Sequence, residues 1–311
     1  MNIIIDITKT ILKTIFCASL LLANEYDFKN YTVVDGLSES TINVIFEDDK
    51  GFLYVGTENG LGLFDGLTFF NYKMNVFNEN TIFGNNIKSI CQDDYGDIWV
   101  GTELGLSKLE TRTRKFKRIV NTKYNLKDIE KIFNDKDGNV WFRNSDGIYK
   151  YEQTSNEVEC ISCGDNLEIN SFSNIYSTHS NEILISTFSN LYRYDFDSDT
   201  LRSMLNPNNS TIEISFVTDI IEIDNTLWIA SKNGLIKLPY DPKIKPQLYK
   251  AKTSSLVDDD IRDIEYSKKK NEIWISTKNG ISILNLNSNS FKTIQVTLFA
   301  NSIVENDIKN L

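Results

Sequence analysis

One histidine, His179, is all that 311 residues provide, so no multi-histidine metal centre can be assembled from this chain. Its setting, Ser177-Thr178-His179-Ser180, reads as a polar turn between two strands, with no neighbouring nucleophile or orienting group to make it a general base. Four prolines are few, as repeated half-buried strands require. Lys and Arg number 33 against 43 Asp and Glu, a net charge of −10, and they gather into no stripe. That balance argues against nucleic acid as a partner. The densest basic run, Arg112 to Arg118, is expected on an outer strand, where charge protects a sheet edge.

Long apolar runs are also missing. The longest stretch, Ile11 to Ala23, has thirteen residues. As a helix it would span about 20 Å, short of the roughly 30 Å hydrocarbon core. Residues 1–23 are therefore expected to be a secretory signal peptide or an N-terminal anchor, placing 24–311 outside the cytoplasm. Leu21, where a cleavage site prefers a small residue, and Asp6 fit poorly, which keeps a misread start and an uncleaved anchor as alternatives. Of four cysteines, Cys17 lies in this leader and Cys91 is expected in the core. Cys160 and Cys163 form a lone Cys-x-x-Cys, expected in a loop. Without a second pair for zinc or a thioredoxin-like context, it reads as incidental or as a local disulfide.

What the chain has in abundance is self-similarity. The segment Phe46 to Leu61 is answered almost residue for residue by Cys91 to Leu106. The central residue of the unit falls at Tyr54, Trp99, Trp141, Leu184, Trp228 and Trp274, in steps of 45, 42, 43, 44 and 46. All four Trp residues occupy this one position. A glycine keeps pace at Gly60, Gly105, Gly147, Gly234 and Gly280, with Asn190 in the fourth copy, read here as another residue that tolerates a left-handed turn. Within each unit, β-branched and aromatic residues are bounded by Asp, Asn and Gly, and helical periodicity is absent. The first unit divides into strands over Asn43–Glu47, Phe52–Thr57, Leu61–Asp65 and Phe69–Tyr72. Four strands in about 40–45 residues is the blade of a β-propeller, an all-β fold of radially arranged sheets.

The termini extend the pattern. Phe28-Lys29-Asn30-Tyr31 matches the fourth-strand segment Phe69-Phe70-Asn71-Tyr72, and 306–311 match Asn85 to Ile90, which open the second unit. Six complete blades plus pieces of a seventh are expected, in a seven-bladed ring whose record stops at least about 25–30 residues early. A six-bladed ring is the alternative.

Specialised chemistry is hard to find in this repeat. Asp135-Lys136-Asp137-Gly138-Asn139 alternates oxygen donors, yet a strand follows where a calcium loop needs a bidentate Glu, so a hairpin turn is favoured. Paired carboxylates for glycoside cleavage stay open, although nearly all Asp and Glu lie in repeated turns. Gly56-x-x-x-Gly60-x-Gly62 has no following Lys-Ser/Thr or helix and is explained by the repeat, not by phosphate binding. No catalytic, metal or cofactor residue is nominated. The loops 75–86, 205–214 and 239–260 vary most between copies and are where ligands of such a fold are expected.

The run Asp94-Tyr95-Gly96-Asp97-Ile98-Trp99-Val100-Gly101-Thr102-Glu103-Leu104-Gly105-Leu106, with an outer Phe-x-x-Tyr, resembles the two-component regulator propeller repeat. The lead-in Tyr31 to Ser38 is similar to the start of such sensors. The resemblance covers about residues 26–311 and weakens at Ile183-Leu184-Ile185-Ser186-Thr187, which lacks the Trp and the glycines. It implies the extracytoplasmic input of a membrane-spanning regulator, with an oligosaccharide or other small extracellular ligand and a homodimer as partners. Kinase and receiver motifs are absent from this sequence, so catalysis is not expected within it. A secreted lyase or hydrolase on a propeller scaffold and a plain interaction scaffold are the alternatives.

Overall fold

The computed structural model describes residues 28–163, 172–178, 182–187, 189–195, 198, 200–204, 214, 216–241, 243–295 and 308–311. Residues 1–27 and His179 lie outside them, as does nearly all of the expected loop 205–214.

Each copy of the repeat folds into a four-stranded antiparallel sheet whose strands pair in chain order. Blade 1 comprises Ile42–Glu47, Leu53–Thr57, Gly60–Phe64 and Phe69–Tyr72, within one residue of the expected bounds. Blades 2 to 6 span 87–119, 131–163, 172–203, 217–249 and 261–294. The first strands of successive blades pack against one another, so the six blades form a propeller ring with these strands innermost.

Turn chemistry explains why the repeat is written as it is. Between the first two strands, Oδ1 of Asp93 accepts the N–H groups of Tyr95 and Asp97, each at 3.0 Å. Asp48 does the same for Lys50 and Phe52, and Asp135 for Asp137 and Asn139. The second carboxylate oxygen reaches into the blade, where the buried indole Nε1 of Trp99 donates to Asp93 Oδ2 at 2.9 Å and that of Trp141 donates to Asp135 Oδ2 at 2.7 Å. The acidic turn and the Trp are therefore one unit, which satisfies a polar N–H inside an apolar sheet. The Asp135 carboxylate is spent on these donors, in agreement with the hairpin reading.

At the opposite end of each blade, Thr57, Thr102, Ser231 and Thr277 donate their hydroxyls to the carbonyls of Gly60, Gly105, Gly234 and Gly280. Those glycines have positive φ, as does Gly147. Asn190 departs from expectation: it keeps the turn through Thr187 N donating to its carbonyl at 2.8 Å, yet it is not among the described residues of positive φ.

Three further readings are corrected by the strands. Cys160 and Cys163 lie on the outer strand of blade 3, Glu157–Cys163, and not in a loop; Cys160 is disulfide-bonded, whereas Cys91 is a buried free thiol. Residues 239–260 contain the fourth strand of blade 5, Gln247–Tyr249, because two apolar side chains there close the sheet. Arg118 does not merely guard an edge. Half-buried on the outer strand of blade 2, it donates to the carbonyls of Asn75, Asn78 and Thr81, and so fixes the loop after blade 1.

The segment 308–311 lies between blade 6 and blade 1. Ile308 N donates to Thr277 O at 3.0 Å, the bond that Ile129 N makes to Thr102 O between blades 2 and 3. Leu311 N donates to Asp263 Oδ2 at 2.9 Å, and Asn310 reaches Asn43 O. Phe28, Ile308 and Leu311 pack with Trp274, Ile281 and Ile283.

Candidate functional site

Two features break the repeat in polar ways. The first is near the propeller axis. The inner-strand residues that pair with Gly56, Gly101, Arg143, Ser186, Ala230 and Ser276 form one column: Val44, Ser89, Lys131, Asn174, Asp219 and Asp263. In blades 5 and 6 this position is acidic, and the Asp219 and Asp263 carboxylates act on each other electrostatically. Burial pushes Asp219 up to about 7, with Asp263 and Glu265 adding to the rise and Lys131 from blade 3 opposing it. Burial also raises Asp263, against the pull of Leu311 N and Lys131, and raises Glu265 beside it. Two buried carboxylates that act on each other cannot both ionise freely, so protonation of this pair persists above the usual carboxylate range.

Proton linkage gives this cluster a measurable signature. Each folded pKa stands above its unfolded value near 3.9, so the native state binds more protons in the window from about pH 4 to pH 7. The resulting stability is complete below that window and is lost as pH rises through it. Both aspartates keep a water-accessible face, which screens the effect to about 1–2 kcal/mol. Urea unfolding at pH 5 and pH 8 is expected to show that loss in the native chain, and Asp219→Asn should remove most of it. An unchanged slope in the variant would contradict the raised pKa of Asp219.

The second feature is a groove of about 800 Å³ on the face formed by the turns between first and second strands and between third and fourth strands. Turns from three blades build it: Lys50 from blade 1, Tyr95, Asp97 and Arg112 from blade 2, and Gln153 and Asn156 from blade 3. These turns are tied to one another. Gln92 exchanges hydrogen bonds with Asp49, Thr111 N donates to Asp97 Oδ1, and Gln153 Nε2 donates to Gly138 O. At its floor, Lys108 pairs with Asp93 at 2.9 Å and Asp97 at 3.1 Å, donates to Gln153, and lies 5.4 Å from the Trp99 ring centroid. Desolvation works against the Lys108 charge, but the hydrogen bonds of both aspartates outweigh it and raise its pKa. The same opposition leaves Asp93 lowered.

Neither feature was nominated from sequence. The variable loop 75–86 is ordered by Arg118 and presents Val76 and Phe77 outward, away from both. One signal was nonetheless present: Tyr95 stands in a turn position that Lys50 and Asp137 fill in other blades. Among the described residues, no group of three or more His, Cys, Asp or Glu is arranged to hold a metal ion, and no helix is long and apolar enough to cross a membrane.

Comparison with known proteins agrees with this fold. The two component regulator propeller family matches residues 36–59 and 81–103, which cover the first two strands of blades 1 and 2 and the segments leading into them. Histidine kinase P4 of Formosa agariphila is 39% identical over 79 residues, which is 25% of this chain and 6% of that protein. Two extracellular domains of hybrid two component systems from B. thetaiotaomicron superpose with TM-scores of 0.73 and 0.71 at 21% and 18% identity. They cover 91% of this chain, which in turn spans 38% and 37% of theirs. Virginiamycin B lyase from Staphylococcus aureus shares the fold at 13% identity and a TM-score of 0.64, over 84% of this chain and 86% of that one. The chain thus spans only a small part of its curated relative and less than two-fifths of the hybrid-system domains. The chain thus carries matches to the two component regulator propeller family in its first two blades, within a structure of six four-stranded blades.

Proposed function

We propose that this propeller is the ligand-sensing input of a two-component-type regulator, exported by its N-terminal segment and acting outside the cytoplasm. The observation that carries the reading is sequence likeness to a histidine kinase, 39% over 79 residues, together with the regulator repeat on the first two blades. The groove supplies a place for a small polar ligand such as an oligosaccharide, since its volume falls in the range of about 300–1,000 Å³ usual for such sites. Binding there would alter signalling only by favouring one arrangement of the rigid propeller against its neighbours over another. Catalysis belongs to other parts of such a regulator. The packing of 308–311 against blade 6 supports a seventh blade, opened by that segment and closed by Phe28 to Tyr31 as its outer strand.

Alkaline phosphatase fused after Leu311 tests the location: activity in cells is expected, and an inactive but stable fusion would overturn the export reading. A second reading, a propeller lyase, draws on the fold shared with virginiamycin B lyase. One structure of that enzyme carries a histidine-to-alanine change that leaves it catalytically inactive. Here the single candidate is His179, so oligosaccharide or streptogramin turnover that His179→Ala abolishes would decide for the lyase.

A further inference from the structure

The groove across blades 1 to 3 has a charge opposite to that of the molecule. On a chain of net charge −10, it is lined by four cations, Lys50, Lys108, Arg112 and Lys117, against two carboxylates, Asp97 and Glu110. Both carboxylates are engaged: Asp97 with Lys108 and Thr111 N, Glu110 with Thr113 Oγ1. The cations divide unequally. Lys108 is neutralised at the floor, but Lys50 and Arg112 are exposed and have no ion-pair partner among the described residues. Lys117 donates only to the neutral amide oxygen of Asn156 at 2.9 Å. Three cations are therefore left to face a ligand.

Neither Lys50 nor Arg112 is needed by the fold. The turn position of Lys50 holds Tyr95 in blade 2 and Asp137 in blade 3, and that of Arg112 holds Thr154 in blade 3. Tyr95 is 74% exposed, although the turn requires only its backbone N–H. A broad aromatic ring at the rim of a polar groove offers a flat apolar face, suited to the C–H face of a pyranose. Gln153, Asn156 and Thr113 add amide and hydroxyl groups, the partners of sugar hydroxyls.

We propose that this groove binds an anionic oligosaccharide, with Lys50, Arg112 and Lys117 holding its acidic groups and Tyr95 stacking on one sugar ring. The proposal deepens the sensor reading, on which it rests, by naming the ligand class. Guanidinium and ammonium groups recognise carboxylate and sulfate alike, so uronates and sulfate esters are both sources of the required charge. A neutral glycan would leave three cations facing water with nothing gained, and an extended nucleic acid would meet a negative surface beyond the groove.

Titration calorimetry on the purified chain tests this with four probes: tetragalacturonate, a sulfated chondroitin tetrasaccharide, cellotetraose and hexaglutamate. At 50 mM salt at least one acidic tetrasaccharide is expected to bind at least tenfold more tightly than cellotetraose, with affinity falling as salt rises. Arg112→Gln and Tyr95→Ala are each expected to weaken it about tenfold while leaving Tm unchanged, since both side chains are exposed. Which acidic tetrasaccharide binds separates carboxylate from sulfate recognition. Equal affinity for cellotetraose, binding unmoved by both variants, binding of hexaglutamate alone, or no binding at all would each overturn the proposal. Cellotetraose binding that ignores the groove variants would do so while leaving the sensor reading intact, whereas an inactive phosphatase fusion strikes that reading itself.

Discussion

Trp141→Ala is expected to destabilise the chain by about 3–5 kcal/mol, the usual cost of deleting a fully buried indole from a packed site. Trp141 does more than fill blade 3. Its ring is stacked on Phe133, with centroids 6.2 Å apart and planes 4° from parallel, and meets Tyr194 of blade 4 edge-on at 6.0 Å. Ile148 of its own blade and Ile175, Ile183 and Ile185 of the next complete the cluster. Truncation thus opens a cavity at the joint between two blades, where neither sheet can collapse without moving the other. It also removes a donor from Asp135, whose buried carboxylate would keep only its turn contacts. Trp141→Phe should separate the two effects, costing about 1–3 kcal/mol by restoring most of the volume without the indole N–H. Urea unfolding of both variants checks this, and a loss below 1 kcal/mol for Trp141→Ala would mean that blades 3 and 4 are not locked through this side chain.

That coupling of Asp135 to Trp141 shows where sequence reading stops. The column of Trp residues and the column of Asp turns are both visible in the chain, and together they yielded the strands to within a residue in blade 1. The hydrogen bond joining the two columns was not legible, because it depends on a carboxylate turning inward past its own hairpin. The groove was hidden for a different reason. Lys50, Tyr95, Arg112 and Gln153 are separated by up to about a hundred residues, and only radial packing brings their turns to one face. Asp219 and Asp263 are further obscured by their spacing, nine and eleven residues before Trp228 and Trp274 where the other copies have ten, so their shared column appears only once pairing is known. Cys160 was misplaced because strand ends are set by neighbouring segments, and the contacts of Arg118 with the loop after blade 1, though its outer strand was expected, were not legible for the same reason.

Gly101→Ala is the second large effect, expected to cost about 2–3 kcal/mol although it adds a single methyl group. Gly101 lies on the second strand of blade 2, facing blade 3, and its φ is not positive, so backbone freedom is not what selects glycine. Space is. A Cβ there would stand 2.7 Å from Ile129 Cγ2, 2.7 Å from Ser89 Oγ and 2.9 Å from the Ile129 carbonyl oxygen. Ser89 could rotate, but the carbonyl and the branched side chain of Ile129 belong to the segment that leads into blade 3, so relief requires that segment to move away from blade 2. Gly56 is under the same constraint at the preceding joint, where a Cβ would come within 2.6 Å of both Ile87 and Val44. Blades 4 to 6 place Ser186, Ala230 and Ser276 at this position, so their joints already accommodate a Cβ. Gly62→Ala is the control, because its nearest neighbour, Asn71 Oδ1 at 3.2 Å, is the end of a side chain. Its cost should stay below about 1 kcal/mol, partly offset by the lost freedom of the unfolded chain. If Gly101→Ala fell within 1 kcal/mol of Gly62→Ala in chemical unfolding, the joint between blades 2 and 3 would be as tolerant as those of blades 4 to 6. The groove built across that joint would then lack the rigid frame that holds its turns in place.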